Sequence, residues 1–119
     1  MRRRKTPHSE GDLLAGTLDM LILTVLRPGP AHGLQIAQAI ERRSDDVLLV
    51  EQGSLYPALY RLEERGWITS SWNIAESKRR ARFYQLTRAG RKQLSSEASR
   101  WDALTRAVAR VMRPRDVEG

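Results

Sequence analysis

The chain contains no cysteine, which excludes a disulfide framework, a thiolate metal site and a cysteine nucleophile. That absence fits a reducing cytoplasm. Histidine is scarce, with only His8 and His32 far apart in sequence, so no metal-ligand spacing is available. HExxH, GxxxxGK[ST] and GxSxG are all missing, and with them the commonest hydrolytic and phosphate-binding signatures. The acidic residues are dispersed and are expected to pair with arginines on helix surfaces, as Glu63 and Glu64 would with Arg61 and Arg65. No catalytic constellation, cofactor or metal site is expected. A long apolar run is lacking too. The basic start Met1–Lys5 leads into polar residues instead of a signal-peptide core, and the apolar stretch from Leu13 carries Thr17 and Asp19 before Arg27-Pro28-Gly29 ends it. It is too short and polar to span a bilayer. The reading is a soluble, cytoplasmic, nucleoid-associated protein with no membrane partner.

What is present is positive charge. Lys and Arg number 21 against 14 Asp and Glu, a net charge of +7 over 119 residues. Such a balance points to a polyanionic partner, and the position of the charge says more than its sum.

Residues 1–11 have no apolar periodicity and read as a basic, flexible arm. Leu14, Leu18, Leu21, Ile22, Val25 and Leu26 then recur at helical spacing, predicting a first helix over 13–27 capped by Asp12. A second spans 32–43, with Ile36, Ala37 and Ile40 inward and Ser44-Asp45-Asp46 closing it. His32 at its start reads as a turn or capping residue. Val47–Val50 is a short apolar link, either extended or one irregular turn. The third helix lies within 51–66, its first turn capped by Ser54, with Pro57 tolerated early and Gly66 as the stop. Leu55, Ala58, Leu59 and Leu62 share its buried face. Two strands, 67–72 and 82–87, then flank a polar loop at 73–81. A last helix over 88–112 carries Leu94, Ala98, Trp101, Leu104, Val108 and Val111 in a near-heptad stripe, and Pro114 stops it.

Three short helices followed by a two-stranded hairpin is the winged helix-turn-helix plan. The fold class is therefore mainly α (α+β). An arm at 1–11 precedes the winged-helix unit at 12–88 and a C-terminal pairing helix and tail at 89–119. On this plan Ser54, Tyr56, Pro57, Tyr60 and Arg61 present the exposed face of a recognition helix to double-stranded DNA, although each taken singly could instead pack against neighbours. Lys78, Arg79, Arg80 and Arg82, opposed only by Glu76, belong to a wing that follows the phosphate backbone. Arg2, Arg3, Arg4 and Lys5 either enter a neighbouring minor groove or have no specific role. The last helix's stripe is too long for one domain to cover, so Leu94, Ala98, Trp101, Leu104, Val108 and Val111, with Leu14 and Leu18 of the first helix, are expected to pair two copies as a homodimer. The rival reading is a winged-helix protein-interaction module without specific DNA binding, against which the basic tip argues.

Five segments, Gly16–Leu23, His32–Ile36, Gly53–Leu59, Arg61–Ile68 and Tyr84–Gly90, resemble the PadR family of transcriptional regulators, in the small subgroup with one C-terminal helix. The resemblance covers about 13–112. It implies a homodimeric repressor on a (pseudo)palindromic operator, places Tyr56 in the DNA-contacting helix, and implies relief by a small aromatic or drug-like effector in some members. Trp101 is then the candidate for stacking such a molecule, with packing of the dimer seam as its favoured role. Leu34 departs from the family, where an aromatic is frequent, and is expected to bear on core packing and not on function.

Overall fold

The computed structural model describes residues 7–114, with side chains from residue 16 onward. Helix α1 is Pro7–Val25, followed by β1 (Ala31–His32), α2 (Gly33–Arg43), α3 (Gln52–Glu64), β2 (Ile68–Ile74), β3 (Arg80–Leu86) and α4 (Arg88–Met112). The three strands form one antiparallel sheet in the order β1-β3-β2. The core is a single cluster joining Leu18, Ile22, Leu23 and Leu26 to Ile36, Ile40, Leu55, Leu59 and Leu62, with Ile68, Tyr84, Leu86 and Leu94.

Several expectations shift. The first helix begins at Pro7, inside the stretch assigned to the arm, so Asp12 is a helical residue and not the cap. Proline suits that first position because its missing N–H would have had no intrahelical partner. Helix α3 starts at Gln52 behind Glu51, whose side chain makes no capping bond, so Ser54 lies within the first turn instead of capping it. Pro57 is therefore past the first turn, and no N–H is available there for the i→i−4 bond to the Gly53 carbonyl. Such a proline costs about 3 kcal/mol. Burying Leu55, Leu59 and Leu62 almost completely contributes roughly 1.5–3 kcal/mol each, so the helix persists.

Expectations at the helix ends hold better. His32 caps α2 reciprocally: its Nδ1 accepts the Gln35 N–H at 3.3 Å while Gln35 Oε1 accepts the His32 N–H at 3.0 Å. Gly66 ends α3 at φ 77°, with Trp67 N–H donating to the Leu62 carbonyl and Gly66 N–H to that of Glu63. This is the Schellman arrangement, which needs a left-handed residue at position 66.

The hairpin is longer than its apolar pattern indicates. Ladder pairs run from Ile68↔Leu86 to Ile74↔Arg80, leaving a connection of 75–79 in place of the expected loop of 73–81. Backbone pairing needs no apolar side chain, so polar Asn73 and basic Arg80 continue it. The tip is a type I turn closed by Lys78 N–H to the Ala75 carbonyl (2.8 Å), with Ala75 N–H to the Arg79 carbonyl (2.8 Å) and Lys78 at φ 72°. That is the three-residue hairpin loop whose last position is left-handed. Strand β1 has no counterpart in the sequence pattern. It adds Ala31↔Tyr84 and His32↔Phe83 to the far edge of β3, with the His32 and Phe83 rings edge-to-face at 5.2 Å.

Where α4 meets the winged unit, fit is tight. Thr87 Oγ1 accepts the Gly90 N–H (2.9 Å) and donates to the Gly66 carbonyl (2.7 Å). A Cβ at residue 90 would lie 2.0 Å from the Trp67 carbonyl oxygen. Beyond Leu94 the helix runs past the core, flanked by α1 as far as Leu104, and the radius of gyration of 16.9 Å exceeds the roughly 13–14 Å of a compact chain this long.

Candidate nucleic-acid interface

Helix α3 buries Leu55, Ala58, Leu59 and Leu62 and exposes Ser54, Tyr56, Pro57 and Tyr60. The split follows from side-chain spacing at 3.6 residues per turn. Tyr56 is 47% exposed, yet its ring lies across the start of α2, where its hydroxyl would be 2.7 Å from a Cβ at Gly33. The Tyr60 hydroxyl donates to Glu64, and this bond with the carboxylate's charge raises its pKa above 10. Arg61 turns back to α1 and pairs with Asp19 at 2.7 Å. Its guanidinium is half-exposed but already has a carboxylate partner.

The expected helix-surface pairs of Glu63 and Glu64 with Arg61 and Arg65 are not formed. Glu63 instead accepts from Ser70 Oγ (2.7 Å) and lies 3.6 Å from Arg82, while the Arg65 guanidinium stacks on Trp67 at 5.2 Å. Tertiary neighbours supply better geometry than residues along one helix.

The wing carries Lys78, Arg79 and Arg80 at or beside its tip, all exposed and none in an ion pair among the described residues. Arg82 differs: Nε donates to Ser70 Oγ at 2.8 Å, which ties it towards α3. A groove of about 600 Å³ runs between α3 and the wing, with Tyr56, Leu34 and Gly33 on one side and Trp72, Arg79, Arg80 and Arg82 on the other. Tyr84 lies beneath it, where burial chiefly, and then Glu63 and Tyr56 against the opposing charge of Arg82, raises the phenol pKa above 10.

Four members of this site are not marked by the sequence pattern. Leu34 is 56% exposed on the groove, which corrects its assignment to core packing; the periodicity of α2 puts Ile36 and Ile40 inward instead. Trp72, Ser70 and Asp19 join through strand register and helix packing, neither of which a linear pattern reports.

On the opposite side, α4 leaves Trp101, Leu104, Val108, Val111 and Met112 exposed. Trp101 and Leu104 border a groove of about 480 Å³ together with Gly16, Thr17 and Met20 of α1. Ala98 is also exposed. Leu18 is only 2% exposed and Leu94 is buried, so both pack in their own domain and drop out of the expected pairing surface. The reason is position: each sits where α1 or α4 crosses the three-helix core. The side chain of Leu14 and the basic residues Arg2–Lys5 lie outside what the structure describes. No helix among the described residues is long and apolar enough to cross a membrane.

The sequence profile of the PadR-like family of transcriptional regulators matches residues 22–96. A transcriptional regulator of Mycobacterium tuberculosis is 34% identical over 77 residues, covering 65% of this chain and 68% of its own length. A transcriptional regulator from Clostridium thermocellum superposes with a TM-score of 0.77 at 27% identity, over 86% of this chain and 99% of that one. A PadR family transcriptional regulator from Eggerthella lenta gives 0.70 at 30% identity, over 91% and 93%. With three helices, a paired wing and a profile match across most of the winged unit, the chain belongs to the PadR-like family and is a DNA-binding transcriptional regulator.

Proposed function

We propose that the chain is a homodimeric repressor in the bacterial cytoplasm that holds a (pseudo)palindromic operator. In this reading residues 12–88 contact DNA and 89–119 pair the subunits. The observation that carries it is the groove that Tyr56 shares with Arg79, Arg80 and Trp72, in which Arg79 and Arg80 have no carboxylate partner among the described residues. Ser54, Tyr56, Pro57 and Tyr60 address the major groove, and Lys78, Arg79 and Arg80 neutralise phosphates. Arg61 and Arg82 reach the DNA only by giving up Asp19 or sharing the contacts to Ser70 and Glu63.

Pairing is supported by the exposed stripe Trp101, Leu104, Val108 and Val111, with Ala98 beside it. Apolar patches of this length are seldom left in water, and a dimer's two-fold axis matches an operator's half-sites. Trp101 packs the seam first. A small aromatic effector that relieves repression would stack on it in the α1–α4 groove.

Light scattering tests the pairing: twice 13.6 kDa is expected for the native chain, and a monomer for Leu104→Glu with Val108→Glu. A native monomer refutes it. Gel shifts against the region upstream of the chain's own gene test the operator. Tyr56→Ala should reduce specific binding more than nonspecific, and Arg79→Ala with Arg80→Ala should weaken both and flatten the salt dependence. Equal affinity of the native dimer for that region and for arbitrary DNA removes the operator from the proposal.

A further inference from the structure

The wing holds an apolar element that phosphate binding does not require. Along β2 and β3 the residues Ile68, Ser70, Trp72 and Ile74 share one face with Leu86, Tyr84, Arg82 and Arg80, their direct cross-strand partners. The inner half of this face, Ile68, Tyr84 and Leu86, is core. The outer half projects beyond the core, and there Trp72 and Ile74 are 55% and 57% exposed. A ribbon that only followed the backbone would need cations at these positions, and leaving a large aromatic half in water forgoes the burial it could have.

The indole is also held in place. The Arg80 guanidinium lies 4.9 Å and that of Arg82 5.9 Å from its ring centroid. Arg82 is in turn fixed by Ser70 Oγ, which donates to Glu63 on α3. A chain of contacts thus sets the ring relative to the recognition helix and to Tyr56 across the groove. Ordering the ring before binding removes part of the entropy cost of contact.

We propose that Trp72, with Ile74 beside it, is a direct duplex-DNA contact of the wing, its indole packing against the sugar walls of the minor groove while Arg80 reaches the flanking phosphate. The inference rests on the DNA-binding reading above. Three features select DNA over a protein surface: the ring lies in the same groove as Tyr56, it shares that groove with Arg79 and Arg80, which are in no ion pair among the described residues, and the minor groove offers apolar sugar faces between phosphate rows about 6 Å apart. Arg82 acts through the ring and is a positioning residue.

The test uses the full chain and a short labelled duplex selected by the native protein from a random pool, with affinity measured by fluorescence anisotropy across a salt series. Trp72→Ala should weaken binding at least about tenfold at every salt concentration with an unchanged slope, as expected when one stacking-scale interaction is removed. The Arg79→Ala, Arg80→Ala pair should instead flatten the slope by about 0.9 for each phosphate no longer neutralised. Trp72→Phe should recover most of the affinity. Replacing guanine by inosine under the wing removes the minor-groove 2-amino group and leaves the major-groove edge unchanged, and should shift the native affinity more than that of Trp72→Ala.

Unchanged affinity in Trp72→Ala overturns the inference and leaves the DNA reading standing, as does the appearance of an acidic protein that binds the native chain and not this variant. A flattened slope in Trp72→Ala overturns it as well, since the ring would then only arrange the arginines. If the native chain selects no duplex at all, the DNA reading fails first. Circular dichroism melting checks the fold, and the Phe variant keeps the test open should Ala disturb the hairpin.

Discussion

Lys78 sits in a backbone conformation that its side chain disfavours, and this separates stability from DNA binding at one residue. Its φ is 72° at the last position of the wing turn, with its own N–H bonded to the Ala75 carbonyl. A left-handed non-glycine residue costs about 1–2 kcal/mol. Glycine removes that cost but has more freedom to lose on folding, roughly 0.5–1 kcal/mol. Lys78→Gly is therefore expected to stabilise the chain by on the order of 0.5–1 kcal/mol, a Tm rise of about 2–5 °C for a domain of this size. Lys78→Ala keeps the conformation and should stay within about 0.5 kcal/mol of the native chain. Both variants remove the same cation. In a dimer with both wings on DNA, each should lower the magnitude of the salt slope by about 1.8, at 0.9 for each phosphate. Thermal melting and anisotropy titrations over a salt series read the two effects separately. A Tm for Lys78→Gly at or below that of Lys78→Ala would refute the strain argument, and native salt slopes in both would refute phosphate contact at the tip.

Gly90→Ala places a methyl group 2.0 Å from the Trp67 carbonyl oxygen and is expected to cost at least about 1–3 kcal/mol, the range for overpacking; urea melts with a native midpoint would contradict the close approach of α4. Gly66→Ala should cost a net of about 0.5–1 kcal/mol, the strain at its left-handed φ of 77° outweighing the chain entropy that alanine saves, read in the same assay. The pKa of Tyr84 is raised mainly by burial, so its contribution is complete below the unfolded value near 10 and is lost as pH rises through the higher folded value. The Tm of the native chain relative to Tyr84→Phe should consequently fall above about pH 10, and a constant difference across that range would show that Tyr84 is not buried. His32→Ala breaks the reciprocal cap of α2 and should cost about 1 kcal/mol, whereas an unchanged melt would mean the cap is not formed in solution.

Element type was legible wherever one face had to be buried. Leu55, Ala58, Leu59 and Leu62 recur at helical spacing because α3 packs on one side, and all four are core. Gly66 marked a helix end because little else takes that φ. Boundaries were less legible. Glu51 opens α3 through backbone geometry, without the capping side chain that Ser54 offered, and α1 already begins at Pro7, ahead of Asp12. At the candidate site, Tyr56 and the basic tip could be read from position along the plan. Trp72 could not, because its partners Arg80, Arg82 and Ser70 are set by strand register.

The sequence by itself determined the order of helices and hairpin, the excess of cations, and an apolar stripe too long for one domain, because periodicity and charge are local properties of the chain. Tertiary structure decided which members of those patterns remain available. Leu18 and Leu94 were drawn into the core, Arg61 was taken by Asp19 from 42 positions away in the sequence, and Arg82 was tied to Ser70. Leu34 and Trp72 were turned into the groove beside Tyr56. The physical reason is that burial and ion pairing are settled between elements, so a side chain's freedom to meet a partner depends on neighbours that are distant along the chain.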